Sequence, residues 1–120
     1  MQDGTRATRT TIDSTSGPDG ATLPVLRFSG DISAASKESM FGAWRNVSGG
    51  GPVLLDFSKV GHIDSGGVGL IVTILVEASK AGQRVAIFGL TTTNQHVFTL
   101  LGIGKLAGLH KDEQTAAASL

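Results

Sequence analysis

Three observations predict a small α/β sandwich: strands alternating with helices, one hairpin near the amino end, and a strand apolar on both faces. The expected architecture is a mixed, mostly parallel sheet of about five strands, with about four helices mainly on one face. The alternation appears as apolar runs separated by glycine-containing breaks. Gly17-Pro18-Asp19-Gly20 is a strong turn signal between two β-type runs and predicts the hairpin. Val53 to Phe57 is apolar up to Asp56, as expected of a strand covered on both sides.

Residues 1–8 read as a flexible polar leader, which leaves 9–120 as a single domain. A weak strand over 9–14 leads into the turn, and Val25 to Ser29 returns with Leu26 and Phe28 on one face. Ser33 or Ser36 caps a helix carrying Met40, Phe41, Trp44 and Val47 at helical spacing, and Gly49-Gly50-Gly51-Pro52 ends it. The strand from Val53 runs into a short polar loop after Phe57. Its partner in the motif is a helix over 66–81, favoured over a buried strand by its length, its preceding caps and the Lys80/Gly82 exit. The inward stripe expected on that helix is Val68, Ile71, Val72 and Leu75, with Leu70 and Ile74 on another side. A helix apolar on nearly all sides is either buried or presents a binding face, and both readings stand equal here. Arg84 to Gly89 is the next strand. Thr92 or Thr93 then caps a helix striped by Val97, Phe98 and Leu101 and stopped by Gly102. Leu106 to His110 reads as an edge strand, and Asp112 caps a last helix with Ala116, Ala117 and Leu120 inward.

Composition narrows the function. A chain of 120 residues suits one compact domain with a real core. Ten basic and ten acidic residues cancel, so there is no electrostatic footprint for direct nucleic-acid binding. There is no cysteine, which removes disulfides and thiolate metal sites and agrees with a reducing cytosol. The polar start lacks a signal-peptide core, and the longest apolar run falls short of a membrane span. The expected setting is cytoplasmic, without membrane insertion.

Chemistry concentrates at residues 56–69. Asp64 and Ser65 stand where a strand gives way to a helix, the position where function sits in α/β sheets. Both are favoured N-caps, and a capping Ser65 would turn its oxygen toward its own helix amides. Asp64 reads equally as a cap, worth about 1 kcal/mol, and as a carboxylate offered to a partner. A serine-hydrolase elbow would require glycine where Ile63 stands. The glycine cluster lacks the Lys-Ser/Thr of a P-loop, and Val72 occupies the third glycine of a dinucleotide motif. His62, His96 and His110 are scattered, so no metal site is expected. Asp56 is a turn-maker accepting loop amides, and Trp44 belongs to the core. The expectation is a chain with no catalytic residues, no cofactor and no metal.

The same residues carry a family resemblance. Asp56-Phe57-Ser58 followed by Ile63-Asp64-Ser65-Gly66-Gly67-Val68-Gly69 resembles the signature of STAS domains, the bacterial anti-sigma-factor antagonists. That family reads Asp-Leu-Ser, a few residues, then Ile-Asp-Ser-Ser-Gly-Leu-Gly. Leu26 to Ile32, Arg84 to Gly89 and Leu100 to Leu106 match further blocks in the right order. The resemblance covers nearly the whole chain. It implies a STAS-like sandwich and a non-catalytic module that docks on a serine-kinase anti-sigma factor of the histidine-kinase-like ATPase type, regulating sigma-dependent transcription. The implied partner-binding residues are Asp64, Ser65, Gly66, Gly67 and Leu70. Gly66 is the departure: family members carry their phosphorylated hydroxyl there. Constitutive binding, Ser65 as a displaced phosphorylation site, or a role outside the sigma pathway would each follow, and the first is the reading taken. STAS-like domains also imply two alternatives, an adaptor subunit of an ABC-type membrane transporter and a nucleotide- or small-ligand-sensing module.

Overall fold

The computed structural model describes residues 6–120. Its elements run β1 (Arg9–Ser16), β2 (Thr22–Ile32), α1 (Lys37–Trp44), β3 (Val53–Ile63), α2 (Ser65–Lys80), β4 (Val85–Phe88), α3 (Thr92–Leu100), β5 (Gly108–His110) and α4 (Glu113–Ala118). The five strands lie in sequence order across one sheet, with β1 antiparallel to β2 and every other pair parallel. Strands laid down in one direction by right-handed crossovers must carry their connecting helices on a single face. Accordingly α1, α2 and α3 all cover the same side.

Pleating then divides the side chains. Leu26, Phe28, Val53, Leu55, Phe57, Val85 and Ile87 face the three crossover helices, meeting Met40, Trp44, Ile71, Ile74, Leu75 and Phe98 in the main core. Phe28, Phe57 and Phe98 form an aromatic chain through it, with ring centroids 5.2 and 5.9 Å apart. The alternate residues Leu23, Val25, Leu54, Ala86 and Phe88 face the other way and are covered by Ala116 and Ala117 of α4. The mixed five-stranded sheet with four helices, three on one face, matches the expected sandwich.

Several local expectations needed correction. β3 continues through 58–63, where a polar loop was expected, because parallel pairing with β2 holds it as far as Ile32–Ile63. On α2 the buried residues are Gly67, Ile71, Ile74, Leu75 and Ala78. Ile74 therefore belongs to the core, while Val68 and Val72 are only half-buried. Thr91, one residue earlier than expected, caps α3 by accepting the Asn94 amide. The α3 stripe holds only at Phe98, since Val97 and Leu101 are 38% and 57% exposed. A nine-residue helix ending at the left-handed Gly102 turn reaches the core with one side chain per turn. Of the leader read over 1–8, positions 1–5 lie outside the described residues. The Arg6 carbonyl accepts the Asp31 amide, alongside the end of β2.

Candidate functional site

The motif read from the sequence becomes a turn at the carboxyl ends of two neighbouring parallel strands. β3 ends at Ile63, and the Asp64 amide donates to the Ile32 carbonyl at the end of β2, 3.1 Å away. The Asp64 side chain then accepts the Gly67 amide at 2.9 Å and caps α2. Asp64 and Ser65 are both exposed. Ser65 is the first residue of the helix and does not cap it, so the expected turning of its oxygen toward the helix amides does not apply.

The glycines here have separate jobs. Gly67 is buried, and any β-carbon at that position would overlap the Ile32 carbonyl. Only glycine lets α2 start this close to β2. Gly66 lies beside Ala34, and a β-carbon on it would stand 3.0 Å from both the Ala34 amide nitrogen and Ala34 Cβ. Gly69 is exposed, and a β-carbon on it would meet nothing within 4 Å. Leu70 is half-buried and packs against the main core, so its role is shared between core and surface.

The opposing wall comes from the turn after β2. Ser33 Oγ accepts the Ala35 amide, and Ser36 Oγ accepts the Ser33 amide, forming a reciprocal capping box that holds Ala34 against Gly66. Asp31 reaches across the strands and accepts the His62 amide at 3.0 Å. That bond, with help from the Arg6 amide, holds its carboxyl below the usual carboxylate range. From the third side, Asn94 of α3 donates to the Gly61 carbonyl at 2.9 Å and pins the last turn of β3. Asp31, Ala34 and Asn94 were missed as contributors from sequence. Asp31 lay inside a block that resembled the family, whereas Ala34 and Asn94 had no local signal.

The other motif carboxylate is elsewhere and does different work. Asp56 is 6% exposed. One oxygen accepts both the amide and the hydroxyl of Ser58, at 2.8 and 2.6 Å. The expected amide acceptance is there, but it sits at a register shift inside β3 and makes no turn. Its second oxygen takes Arg27 Nη1 at 2.8 Å. Arg27 also binds Asp13 at 2.8 Å and Glu113 at 2.9 Å, tying β1, β2, β3 and α4 together. The Asp13 and Glu113 carboxyls are held below their ordinary range chiefly by this guanidinium. His62 and His96 are exposed and His110 is half-buried, on three separate elements. A surface pocket of about 530 Å³ is lined by Thr15, Pro18, Glu113 and Ala117 at the opposite end of β2 from Asp64. Nothing in the motif reaches it, so cavity size does not locate this site. Among the described residues, no helix is long and apolar enough to cross a membrane.

Solved structures of other proteins share this fold. An anti-sigma factor antagonist from Mycobacterium paratuberculosis superposes with a TM-score of 0.75 at 17% identity, over 92% of this chain and 91% of the other. The phosphorylated Bacillus cell fate determinant SpoIIAA gives 0.63 at 17% identity, over 86% and 92%. A putative anti-sigma factor antagonist from Thermotoga maritima gives 0.60 at 20% identity, over 87% and 88%. These similarities establish a shared fold. No curated protein sequence matches the chain. The model of the STAS domain matches residues 14–116, and with that span the chain belongs to the STAS domain family.

Proposed function

We propose that this chain is a non-catalytic docking module, an antagonist that binds an anti-sigma factor of the histidine-kinase-like ATPase type through the Asp64 turn. The observation that carries the reading is the turn itself. It is tied to β2 by the Asp64 amide bond to Ile32, capped by the Asp64 side chain, and leaves Asp64, Ser65 and Gly69 exposed. Display of a short polar turn beside a half-buried leucine suits recognition by a partner surface. The fold shared with anti-sigma factor antagonists supports the class of partner.

Binding on this reading is constitutive. The position that would carry a regulatory hydroxyl is Gly66, and Ala34 crowds the space into which a side chain there would grow. A phosphate on this turn would place nearly two negative charges beside Asp64 and Asp31 and oppose docking on an acidic or apolar patch. Ser65 is the hydroxyl of the turn itself, and it is exposed.

The test is a calorimetric titration against the cognate ATPase. Asp64→Lys and Gly69→Arg should each weaken binding at least tenfold, with melting temperatures within a few degrees of the parent. Leu70→Asp should weaken binding as well, but it also perturbs the core, so it is the less clean variant. Unchanged affinity in the first two would move the contact away from this turn. Intact-mass measurement after incubation with the ATPase and ATP should show little phosphate. A stoichiometric phosphate on Ser65 would make the protein a switched antagonist.

A further inference from the structure

The two edges of the sheet are built differently. β5 is an edge of three residues followed by Lys111, a short and charged border of the kind that discourages pairing. β1 runs eight residues in unbroken register with β2, from Arg9–Ser29 to Ser16–Thr22, with no bulge, proline or lysine. Among the described residues nothing pairs with its outer side.

An apolar row crosses the sheet and ends on that open edge. Leu109 of β5 pairs with Ile87, Ile87 with Leu55, Leu55 with Leu26, and Leu26 with Ile12 of β1. The three central members are at most 1% exposed, whereas Ile12 is 48% exposed. The row stops for want of a sixth strand. From this we infer that the outer edge of β1 is a homodimer interface, where β1 of a second copy pairs antiparallel about a twofold axis through Ile12.

The strand is self-complementary in that register. Ile12 meets its own counterpart and extends the apolar row into the second sheet. Thr10 faces the partner's Ser14, a hydroxyl pair of the sort that favours adjacent strands. Arg9 faces the partner's Thr15 and lies diagonal to the partner's Asp13, within reach of its long side chain. No like charges are directly opposed; the two Asp13 side chains lie diagonal to each other across the axis, each already paired with Arg27 of its own copy. Parallel pairing in register would instead set Arg9 on Arg9 and Asp13 on Asp13, which disfavours it. Closed twofold pairing consumes both free edges and does not propagate. One strand pair buries less than about 1,000 Å² in total, so the dimer is a weak one. It would carry two copies of the Asp64 turn. The inference rests on β1 alone and does not depend on the docking reading.

The chain has no cysteine, which allows a direct test. Directly opposed antiparallel residues stand about 4.5–5.5 Å apart at Cα, within disulfide range. Ile12→Cys should therefore cross-link to a dimer under mild oxidation. Ser14→Cys, on the same face, would lie on the order of 13 Å from its counterpart and should stay monomeric. Sedimentation equilibrium of the native chain should show mass rising toward the dimer at high micromolar concentration. Ile12→Lys, which opposes two ammonium groups, should remain folded and monomeric. A monomeric native chain at every concentration would leave the edge to an extended segment of some other protein and would overturn the inference. So would a dimer that survives Ile12→Lys, or equal cross-linking at both cysteine positions.

Discussion

Asp56 and Asp64 stand eight residues apart on one strand-and-helix unit, and the sheet treats them oppositely. Asp56 sits where β3 is flanked by β2 and β4, and both its oxygens are engaged by Ser58 and Arg27. Asp64 sits one residue beyond β3, where one oxygen caps α2 and the residue remains exposed. Two carboxylates of one motif thus serve two links of the chain from sequence to function. The first holds strands together and the second is presented. Proximity in a motif is no guide to role; distance from the sheet's interior is.

That contrast can be broken by substitution, beginning beneath it. Leu75 is fully buried where α2 meets the sheet, so Leu75→Ala should cost about 2–5 kcal/mol in denaturant unfolding. A loss under half a kcal/mol would mean that α2 does not depend on the core. Asp56→Ala should cost about 2–3 kcal/mol, because it leaves the Ser58 amide and one arm of Arg27 without their partner. Asp64→Ala should cost only about 1 kcal/mol, the loss of a cap. If the two aspartates proved equally costly, the division between holding and presenting would fail.

The smallest effect is in acid. Asp13 and Glu113 have carboxyls depressed by Arg27, so the folded state binds fewer protons than the unfolded chain at mildly acidic pH. Their stabilisation is complete above the unfolded carboxylate range, near about pH 5, and fades as pH falls through their lowered values. Both groups are partly exposed, which keeps the effect modest. Glu113→Gln should lower stability at pH 7 and flatten the decline toward pH 3, followed by thermal melts. An unchanged acid limb would show that Arg27 is not the group coupling α4 to the sheet.

How legible each feature was depends on how local its cause is. The strand alternation, the Asp112 cap and the Gly102 stop rest on residues within a few positions of one another, and the structure repeats them. The inward face of α2 was less legible. With apolar residues on nearly every side, periodicity chose Val72 over Ile74 for the core, and the structure reverses that choice. In the structure Gly67 sits against Ile32 and Ile74 faces the core, a placement set by contacts between segments far apart in sequence. The same holds for α3, where three apolar residues read as a stripe and one reached the core. At the site, Asp64 was visible because capping is chemistry within one turn, whereas Ser65 was read as a second cap and is not one. Asp31, Ala34 and Asn94 arrive there from segments about 30 residues away on either side, and no window of sequence joins them.

From residues alone came the order of the elements, the polar turn between β3 and α2, and the absence of a hydroxyl at Gly66, since each depends on identity and near neighbours. Three-dimensional packing assigned what remained. It made Asp56 an interior tie, set Ala34 over Gly66, turned Ile74 inward, and left Ile12 at the open end of an apolar row. Those outcomes depend on which strands become neighbours. Crossover handedness and burial decide that for the whole chain at once.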